Sequence, residues 1–182
     1  MYKLAAAFAL LAGPAFASGL QIDIAGEGAN GTITIDLFED VAPKHVEQIT
    51  TLAARGDYDD VVFHRVIAGF MAQTGDVEHG QWGQDMRRAG MGGSDLGDIA
   101  AEFSDVPYDR GIVGMARSQN PNSANSQFFI MFAPGYFLNG QYTVVGKVTD
   151  GMDIVDAIKL GTGPNGAVIG APDRMVKVTV TD

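Results

Sequence analysis

One arginine lies within an apolar strand pattern, where a charged side chain is uncommon. Arg65 follows Phe63 and His64, and a glycine turn then leads into a second strand that carries Met71 and Gln73 on one face. No carboxylate lies nearby in the sequence to neutralise the guanidinium group. A cation beside aromatic and thioether surface is suited to binding a neutral peptide with an apolar side chain.

A second segment, residues 114–132, places a polar loop between two strands and can supply another wall of the same site. Along its latter strand, period two puts Gln127 and Phe129 on one face and Phe128 and Ile130 on the other. The wholly apolar face is expected in the core. The other face, with an amide and an aromatic ring, can form the floor of a pocket.

The three histidines, His45, His64 and His79, do not form a recognisable metal site. Their spacing fits no common zinc pattern, and the chain has no cysteine. We expect His45 on a helix surface and His64 as a hydrogen-bonded structural residue. Glycine pairs such as Gly92-Gly93 precede no helix with Lys and Ser or Thr, so we interpret them as turns. The sequence predicts a site without metal or cofactor.

Short β-rich runs separated by glycine must position these residues. Eight strands are predicted from alternation and β-branched or aromatic content, at residues 21–24, 32–37, 61–66, 70–74, 112–116, 127–132, 143–148 and 175–181. One helix is predicted from Pro43 to a stop at Gly56, with Val46 and Ile49 on its apolar face, and another over residues 152–160. Because strands and helices do not alternate, we predict an all-β fold: a closed eight-stranded antiparallel barrel capped by two α-helices.

The N-terminal residues have the order of a secretory signal peptide. Lys3 gives a basic start, residues 4–12 carry no polar side chain, a Gly-Pro pair breaks the helix, and Ala15 and Ala17 are small residues at the peptidase positions. The apolar run is shorter than the about 20 residues of a membrane span. We expect cleavage after Ala17, which removes the whole segment 1–17.

Cleavage would leave residues 18–182 as a single domain, long enough to bury a core. The formal net charge of −10 would become more negative by the loss of Lys3. An acidic protein repels nucleic acid and anionic lipid, so neither is an expected partner. We expect a soluble, exported, periplasmic protein, and nothing in the sequence demands an oligomer.

Several long segments resemble the cyclophilin family of peptidyl-prolyl cis/trans isomerases, in its bacterial exported branch. Residues 63–76 look like the family signature, and residues 126–130 look like its partner segment. Residues 137–140 and 145–148 are similar to later landmarks, and the match runs from about Leu20 to the end of the chain. The resemblance implies the two-helix, eight-stranded barrel, an isomerase site on its outer groove, and no cofactor.

The resemblance also implies roles for individual residues. The expected catalytic residues are Arg65, Phe70 and Gln73, with Gln73 as the amide that helps to hold the arginine and the substrate backbone. The expected substrate-binding residues are Met71, Ala116, Arg117, Gln127, Phe129, Phe137, Leu138 and Tyr142. Among these, the apolar ones wall the proline pocket, while Ala116 and Arg117 pair with the peptide main chain. Phe137 and Tyr142 stand where many eukaryotic members carry Trp and His, which resembles the bacterial branch.

Some positions need a particular local geometry or depart from the family pattern. Strand alternation places Phe70 opposite Met71, so both can line one pocket only at a turn or a groove edge. Thr74 replaces the first glycine of a usual pair, residues 77–89 form a longer connection than usual, and Met91 replaces a smaller polar residue. These departures bear on substrate preference beyond the proline pocket.

The implied chemistry needs no titrating group. Rotation about an X–Pro bond faces a barrier of roughly 18–20 kcal/mol because the nitrogen donates its lone pair into the carbonyl. In the twisted state that lone pair becomes an acceptor, so a donor near Arg65 would stabilise the transition state selectively. We predict isomerisation of proline-containing exported polypeptides as they fold. The alternative is a proline-binding chaperone or scaffold module with little turnover, which Arg65 together with Gln73 and Phe129 disfavours.

Overall fold

The computed structural model describes residues 18–182, so the predicted signal peptide, residues 1–17, lies outside the described residues. Nine strands are present: β1 (Gly19–Ala25), β2 (Gly31–Leu37), β3 (Val61–Val62), β4 (Arg65–Ile67), β5 (Met71–Thr74), β6 (Ile112–Met115), β7 (Phe128–Met131), β8 (Val144–Asp150) and β9 (Arg174–Thr181). They form one sheet in the order β3-β9-β1-β2-β8-β6-β7-β5-β4, with antiparallel pairing throughout. The mainly-β fold with two helices is confirmed.

The prediction of eight strands in a closed barrel is not confirmed. The predicted strand 61–66 is divided into β3 and β4, which lie at opposite edges of the sheet and are separated only by Phe63 and His64. The division arises because Phe63 donates its N–H to Asp173 O (2.9 Å) whereas β4 pairs with β5. Within residues 18–182, no ladder joins the two edge strands, and the sheet curls around the core.

Strand alternation separates two apolar clusters. Ala72, Phe128 and Ile130 point into the main core, which also contains the inward residues of β1, β2 and β9. Their neighbours Met71 and Phe129 point to the other face, where they form a second cluster with Met131, Tyr108 and Leu138. The predicted division of the faces of β7 is therefore confirmed, and the outer cluster supports the surface on which the candidate site lies.

Helix α1 (Pro43–Arg55) begins at the expected proline and ends at Gly56, which is left-handed with φ 76°. Its predicted apolar face is buried, but His45 is also fully buried, so its expected position on the helix surface was wrong. The cause is Glu102, which accepts the backbone N–H of His45 (3.1 Å) and its Nδ1–H (2.6 Å). A carboxylate from a distant loop thus satisfies the N-terminus of a helix whose N-cap, Ala42, offers no side-chain acceptor.

Helix α2 (Met152–Asp156) is shorter than the predicted range 152–160. The helix ends early because Lys159 donates its N–H to the buried Asp173 carboxylate (2.8 Å), which also accepts from Gly28 and Ala29. Neither α1 nor α2 combines the length and the apolar content that a helix needs to cross a membrane.

Candidate functional site

A pocket of about 220 Å³ opens on the outer face of β4, β5 and β7. Its lining consists of ten of the eleven predicted site residues: Arg65, Phe70, Met71, Gln73, Ala116, Arg117, Phe129, Phe137, Leu138 and Tyr142. Only Gln127 lies outside this lining, and it lines a neighbouring cavity instead. The volume is below the about 300–1,000 Å³ typical of small-molecule sites, so the pocket suits a single residue rather than an extended ligand.

The sheet register brings the centre of the site together. Arg65 pairs with Gln73, Gln73 pairs with Phe129, and Phe129 pairs with Gly114, so these residues form one row across four strands. Residues in such a row share a face of the sheet. A Cβ atom at Gly114 would lie 2.4 Å from the Tyr108 hydroxyl and 2.7 Å from the Phe129 ring. Glycine is therefore required where the two rings pack against the end of the row.

A chain of amide hydrogen bonds runs from the guanidinium group to a loop. Arg65 Nη1 donates to Gln73 Oε1 (3.0 Å), and Gln73 Nε2 donates to Gln127 Oε1 (3.0 Å). Gln127 Nε2 then donates to the carbonyl of Gly92 (2.8 Å). Each amide is oriented by its neighbour, which fixes the oxygen of Gln73 toward the arginine. The expected pairing of Arg65 with Gln73 is present in the structure, and Gln127 supports it from behind.

Arg65 carries a positive charge that no carboxylate neutralises: no ion pair within 4.0 Å in residues 18–182 includes it. Its guanidinium also donates from Nε to Asn165 O (3.0 Å) and from Nη2 to Asn165 Oδ1 (3.3 Å). Burial lowers the pKa of Arg65 from its ordinary value, against an opposing effect of Tyr142. The side chain nevertheless stays charged near neutral pH, because an arginine guanidinium loses its proton only in strongly alkaline solution.

Aromatic and apolar side chains form the walls of the pocket. Phe70 lies in the turn between β4 and β5, as its position opposite Met71 required, and it packs against Phe137 with ring centroids 5.6 Å apart. Phe129 contacts the edge of Tyr142 at 6.0 Å. Phe137 is 67% exposed and stands at the rim, whereas Met71, Phe129 and Leu138 are buried at the base. The walls are thus anchored in the outer apolar cluster.

Ala116 and Arg117 follow the end of β6 at the side of the pocket. The N–H of Ala116 donates to Gln127 O (2.9 Å), so pairing with a peptide would fall to its carbonyl group. The guanidinium of Arg117 donates from Nη2 to Gln141 O (2.8 Å) and from Nη1 to Ser118 O (2.9 Å), and its Cζ lies 4.3 Å from the centre of the Tyr142 ring. Unlike Arg65, Arg117 therefore builds the wall by stacking.

The predicted site extends into a larger cavity of about 630 Å³ that shares Gln73, Ala116 and Arg117 with the pocket. Residues 90–94 and the loop at 118–126 form its other walls. Gly92 and Gly93, which were predicted only as turns, line this cavity, and their place in it was not predicted. The longer connection from residue 77 onward was the signal that could have pointed to it.

His64 lies beneath the site and differs from the prediction. It is only 8% exposed, and within residues 18–182 neither ring nitrogen makes a hydrogen bond of ordinary geometry, although Val62 and Gln127 lie close enough to favour its protonated form weakly. Burial lowers the pKa of His64 to about 4, with a further lowering from Arg65 that Asp76 and Gln127 oppose. The ring is therefore neutral at pH 7. Within residues 18–182, no group of three or more His, Asp or Glu is arranged to hold a metal ion.

Comparison with known proteins agrees with this geometry. Residues 20–180 match the family described as cyclophilin type peptidyl-prolyl cis-trans isomerase. A protein of Brucella suis, named as a probable peptidyl-prolyl cis-trans isomerase, is 58% identical over 153 residues, which cover 83% of this chain and 78% of that protein.

Solved structures indicate the same family. The chain is similar to a Cryptosporidium parvum cyclophilin type peptidyl-prolyl cis-trans isomerase, with a TM-score of 0.76 and 27% identity, over 92% of this chain and 99% of the other. A crystal structure of that isomerase in the presence of the dipeptide Ala-Pro gives a TM-score of 0.74 and 27% identity, over 90% and 99% of the two chains. The family match, the identity and the shared fold together establish that the chain belongs to the cyclophilin-type peptidyl-prolyl cis-trans isomerases.

Proposed function

We propose that this isomerase binds an X–Pro segment in the pocket of about 220 Å³ and stabilises its twisted state through Arg65. The proline ring packs against Phe70, Met71 and Phe129, while the residue before it rotates. As the prolyl nitrogen becomes pyramidal, its lone pair accepts a hydrogen bond from the guanidinium group, which the planar isomers cannot do equally well. The observation that carries the proposal is a charged donor without a carboxylate at the edge of an apolar pocket.

The substrate is proposed to be a proline-containing polypeptide. The related Cryptosporidium isomerase was crystallised in the presence of Ala-Pro, which supports an X–Pro ligand for this chain as well. Peptide main chain would pair beside Ala116 and Arg117, and Gln73 would contact the substrate backbone while it holds Arg65. Apolar walls exclude water around the rotating bond, and this strengthens the electrostatic contact with the guanidinium.

The cellular role is proposed to be assistance to exported proteins as they fold. Support comes from the order of residues 1–17, where a basic start, an apolar run and small residues follow one another as in a cleaved signal peptide. Residues 18–182 would then act as one isomerase domain in the periplasm, as a monomer. The absence of cysteine from the chain would make its folding independent of thiol oxidation in that compartment.

The role of Arg65 is tested by Arg65→Ala in an assay of prolyl-peptide isomerisation. Loss of one donor that acts mainly in the transition state should lower kcat/KM by about 100- to 1,000-fold. Arg110→Ala is a matched control, because Arg110 pairs with Asp156 and does not line the pocket, and it should retain wild-type turnover.

Arg65→Lys separates the charge from the planar fork of donors, since lysine keeps only the charge. It should retain less than a tenth of wild-type kcat/KM. If Arg65→Ala is folded by circular dichroism and isomerises peptides at the wild-type rate, the proposed mechanism is wrong.

A further inference from the structure

A turn far along the chain covers the outer edge of β4, the strand that carries Arg65. Ala167 forms a bridge with Arg65, Val168 N donates to His64 O (3.0 Å), and Gly161 N donates to Val66 O (2.9 Å). The edge of β4 that faces away from β5 is therefore occupied by residues 161–168. The backbone beneath the guanidinium group is held from both sides.

Asn165, at the centre of this turn, has an unusual backbone. Its φ of 55° and ψ of 28° lie in the left-handed region, and Asp60 is the only other non-glycine residue with positive φ among the described residues. Asparagine tolerates this region better than most L residues, although glycine adopts it more readily. Such conformations persist where surrounding contacts over-determine them, and they cluster at functional sites. A residue held in this way beside Arg65 invites a functional explanation.

The contacts of Asn165 supply that explanation. It offers Arg65 two acceptors, its own carbonyl to Nε (3.0 Å) and its side-chain Oδ1 to Nη2 (3.3 Å), while Gln73 accepts from Nη1 (3.0 Å). A guanidinium group has five N–H donors, so three are fixed and two remain, one of which lies near Met71 Sδ (3.9 Å). The plane of the group is thus set from two opposite sides, and a free N–H is left for a ligand.

All three acceptors are neutral. A carboxylate in the place of Asn165 would hold the guanidinium at least as firmly, but it would also compensate its charge. An amide oxygen and a peptide carbonyl orient the group and leave the positive charge available to the prolyl nitrogen. A neutral amide at this position therefore affects catalysis, because it preserves the charge of Arg65, whereas a purely structural contact would have no such effect.

We propose that Asn165 is a positioning residue for the isomerisation: it orients the guanidinium of Arg65 through two neutral acceptors without neutralising it. The inference rests on the proposed role of Arg65. Asn165→Gly keeps the left-handed turn and the backbone carbonyl and removes the side chain, with the Oδ1 that accepts from Arg65. It should lower the isomerisation rate of bound peptide by about 3- to 10-fold, the equivalent of one neutral hydrogen bond, with little change in Kd. Asn165→Asp keeps the shape and adds the charge, and should lower the rate further.

The experiment measures the rate on the enzyme by NMR exchange spectroscopy with a saturating prolyl peptide, together with the peptide Kd and the Nε–H resonance of Arg65. A shifted or broadened Arg65 resonance in Asn165→Gly would show loss of orientation, which a general loss of stability would not produce selectively. Asp60→Gly is the matched control, because it removes the other left-handed non-glycine residue at a site where the side chain pairs with Arg174. It should leave the rate unchanged.

The outcomes separate the two proposals. Wild-type exchange in Asn165→Gly with an unchanged Arg65 resonance overturns the positioning role, and wild-type exchange in Asn165→Asp overturns the requirement for a neutral acceptor. If Arg65→Ala itself retains wild-type turnover, the proposed mechanism fails first. If Arg65→Ala loses turnover but the Asn165 variants keep the wild-type rate, the proposed mechanism of Arg65 stands and the positioning role of Asn165 is wrong.

Discussion

The two arginines of the pocket differ in the groups that each side chain contacts. Arg117 donates to the Gln141 and Ser118 carbonyls and stacks on Tyr142, so it forms part of the pocket wall. Arg65 is fixed on two sides by the oxygens of Gln73 and Asn165, and a further N–H lies near Met71 Sδ. The two guanidinium groups make equal numbers of contacts to oxygen atoms, so their proposed roles differ by place: Arg117 stacks on an aromatic ring, whereas Arg65 is held by the amides of Gln73 and Asn165.

His64 is the residue that should make stability depend on pH in the mildly acidic range. Its pKa is about 4 in the folded protein because the ring is buried, whereas in the unfolded chain it returns to about 6.5. Between these values the unfolded chain binds a proton that the folded protein does not bind, so stability falls as the pH decreases from about 6.5 toward 4. The full loss would be roughly 3 kcal/mol.

Urea unfolding at several pH values checks this expectation. The wild-type free energy of unfolding should decline between pH 7 and 5, and His64→Asn, which cannot take up the proton, should flatten that decline. Equal pH slopes for the two proteins would mean that His64 does not carry the effect.

Among the elements, the connection after β5 depends on one buried carboxylate. Asp76 is fully buried, and its Oδ1 accepts the N–H groups of Glu78 (3.1 Å) and His79 (2.8 Å). Its Oδ2 accepts those of Gly90 (2.7 Å) and Gly92 (3.0 Å). The carbonyl of Gly92 in turn receives the amide of Gln127, so the carboxylate that closes this loop also supports the hydrogen-bond chain to Arg65.

Asp76→Asn should therefore destabilise the loop and the protein. The amide NH2 cannot accept, so two N–H groups lose their partner, and at about 1–3 kcal/mol for each unsatisfied group the cost is about 2 kcal/mol or more. Faster hydrogen exchange at the pair that faces the NH2, either Glu78 and His79 or Gly90 and Gly92, with a lower urea midpoint, is the expected result. Asp85→Asn, an exposed change in the same loop, should alter neither. Unchanged protection of all four N–H groups, with an unchanged urea midpoint, would show that Asp76 does not close the loop.

Across the whole molecule, the sheet brings segments that are distant in sequence to one face. Arg65 and Asn165 are 100 residues apart and share two hydrogen bonds. The first described residue, Ser18, is also tied to the sheet: its carbonyl accepts from Leu37 N (3.0 Å), and its N–H donates to Glu39. A new amino terminus at Ser18 would place its positive charge beside the Glu39 carboxylate, a favourable ion pair at the proposed cleavage site.

Export and cleavage can be measured on the intact protein. Expression of the full chain in a Gram-negative host should yield a periplasmic protein whose mass begins at Ser18. Ala17→Leu replaces a small residue that the peptidase requires and should keep residues 1–17 attached at the membrane. Recovery of the complete chain from the cytosol, with no difference between the two proteins, would contradict the proposed export.

The local sequence determined which side chains share a face at the site, while the roles expected of them came from the family resemblance. Alternation along residues 63–76 and 127–132 placed Arg65, Gln73 and Phe129 where the register joins them in one row. Pro43 and Gly56 marked the ends of α1 because proline holds φ near its helical value, whereas glycine tolerates the left-handed φ of 76° that ends the helix. Such features depend only on neighbours within a few residues along the chain. They can therefore be predicted from the sequence without knowledge of the tertiary structure.

Only the tertiary structure decided the contacts between distant segments. The strand predicted at 61–66 is divided because its two ends pair with opposite edges of the sheet, and His45 is buried because Glu102 reaches it from a remote loop. Asn165 lies in a polar turn with no periodic pattern, so nothing local connects it to Arg65. These partners are chosen by how the sheet curls and packs, a property of the whole chain that period and turn chemistry do not encode.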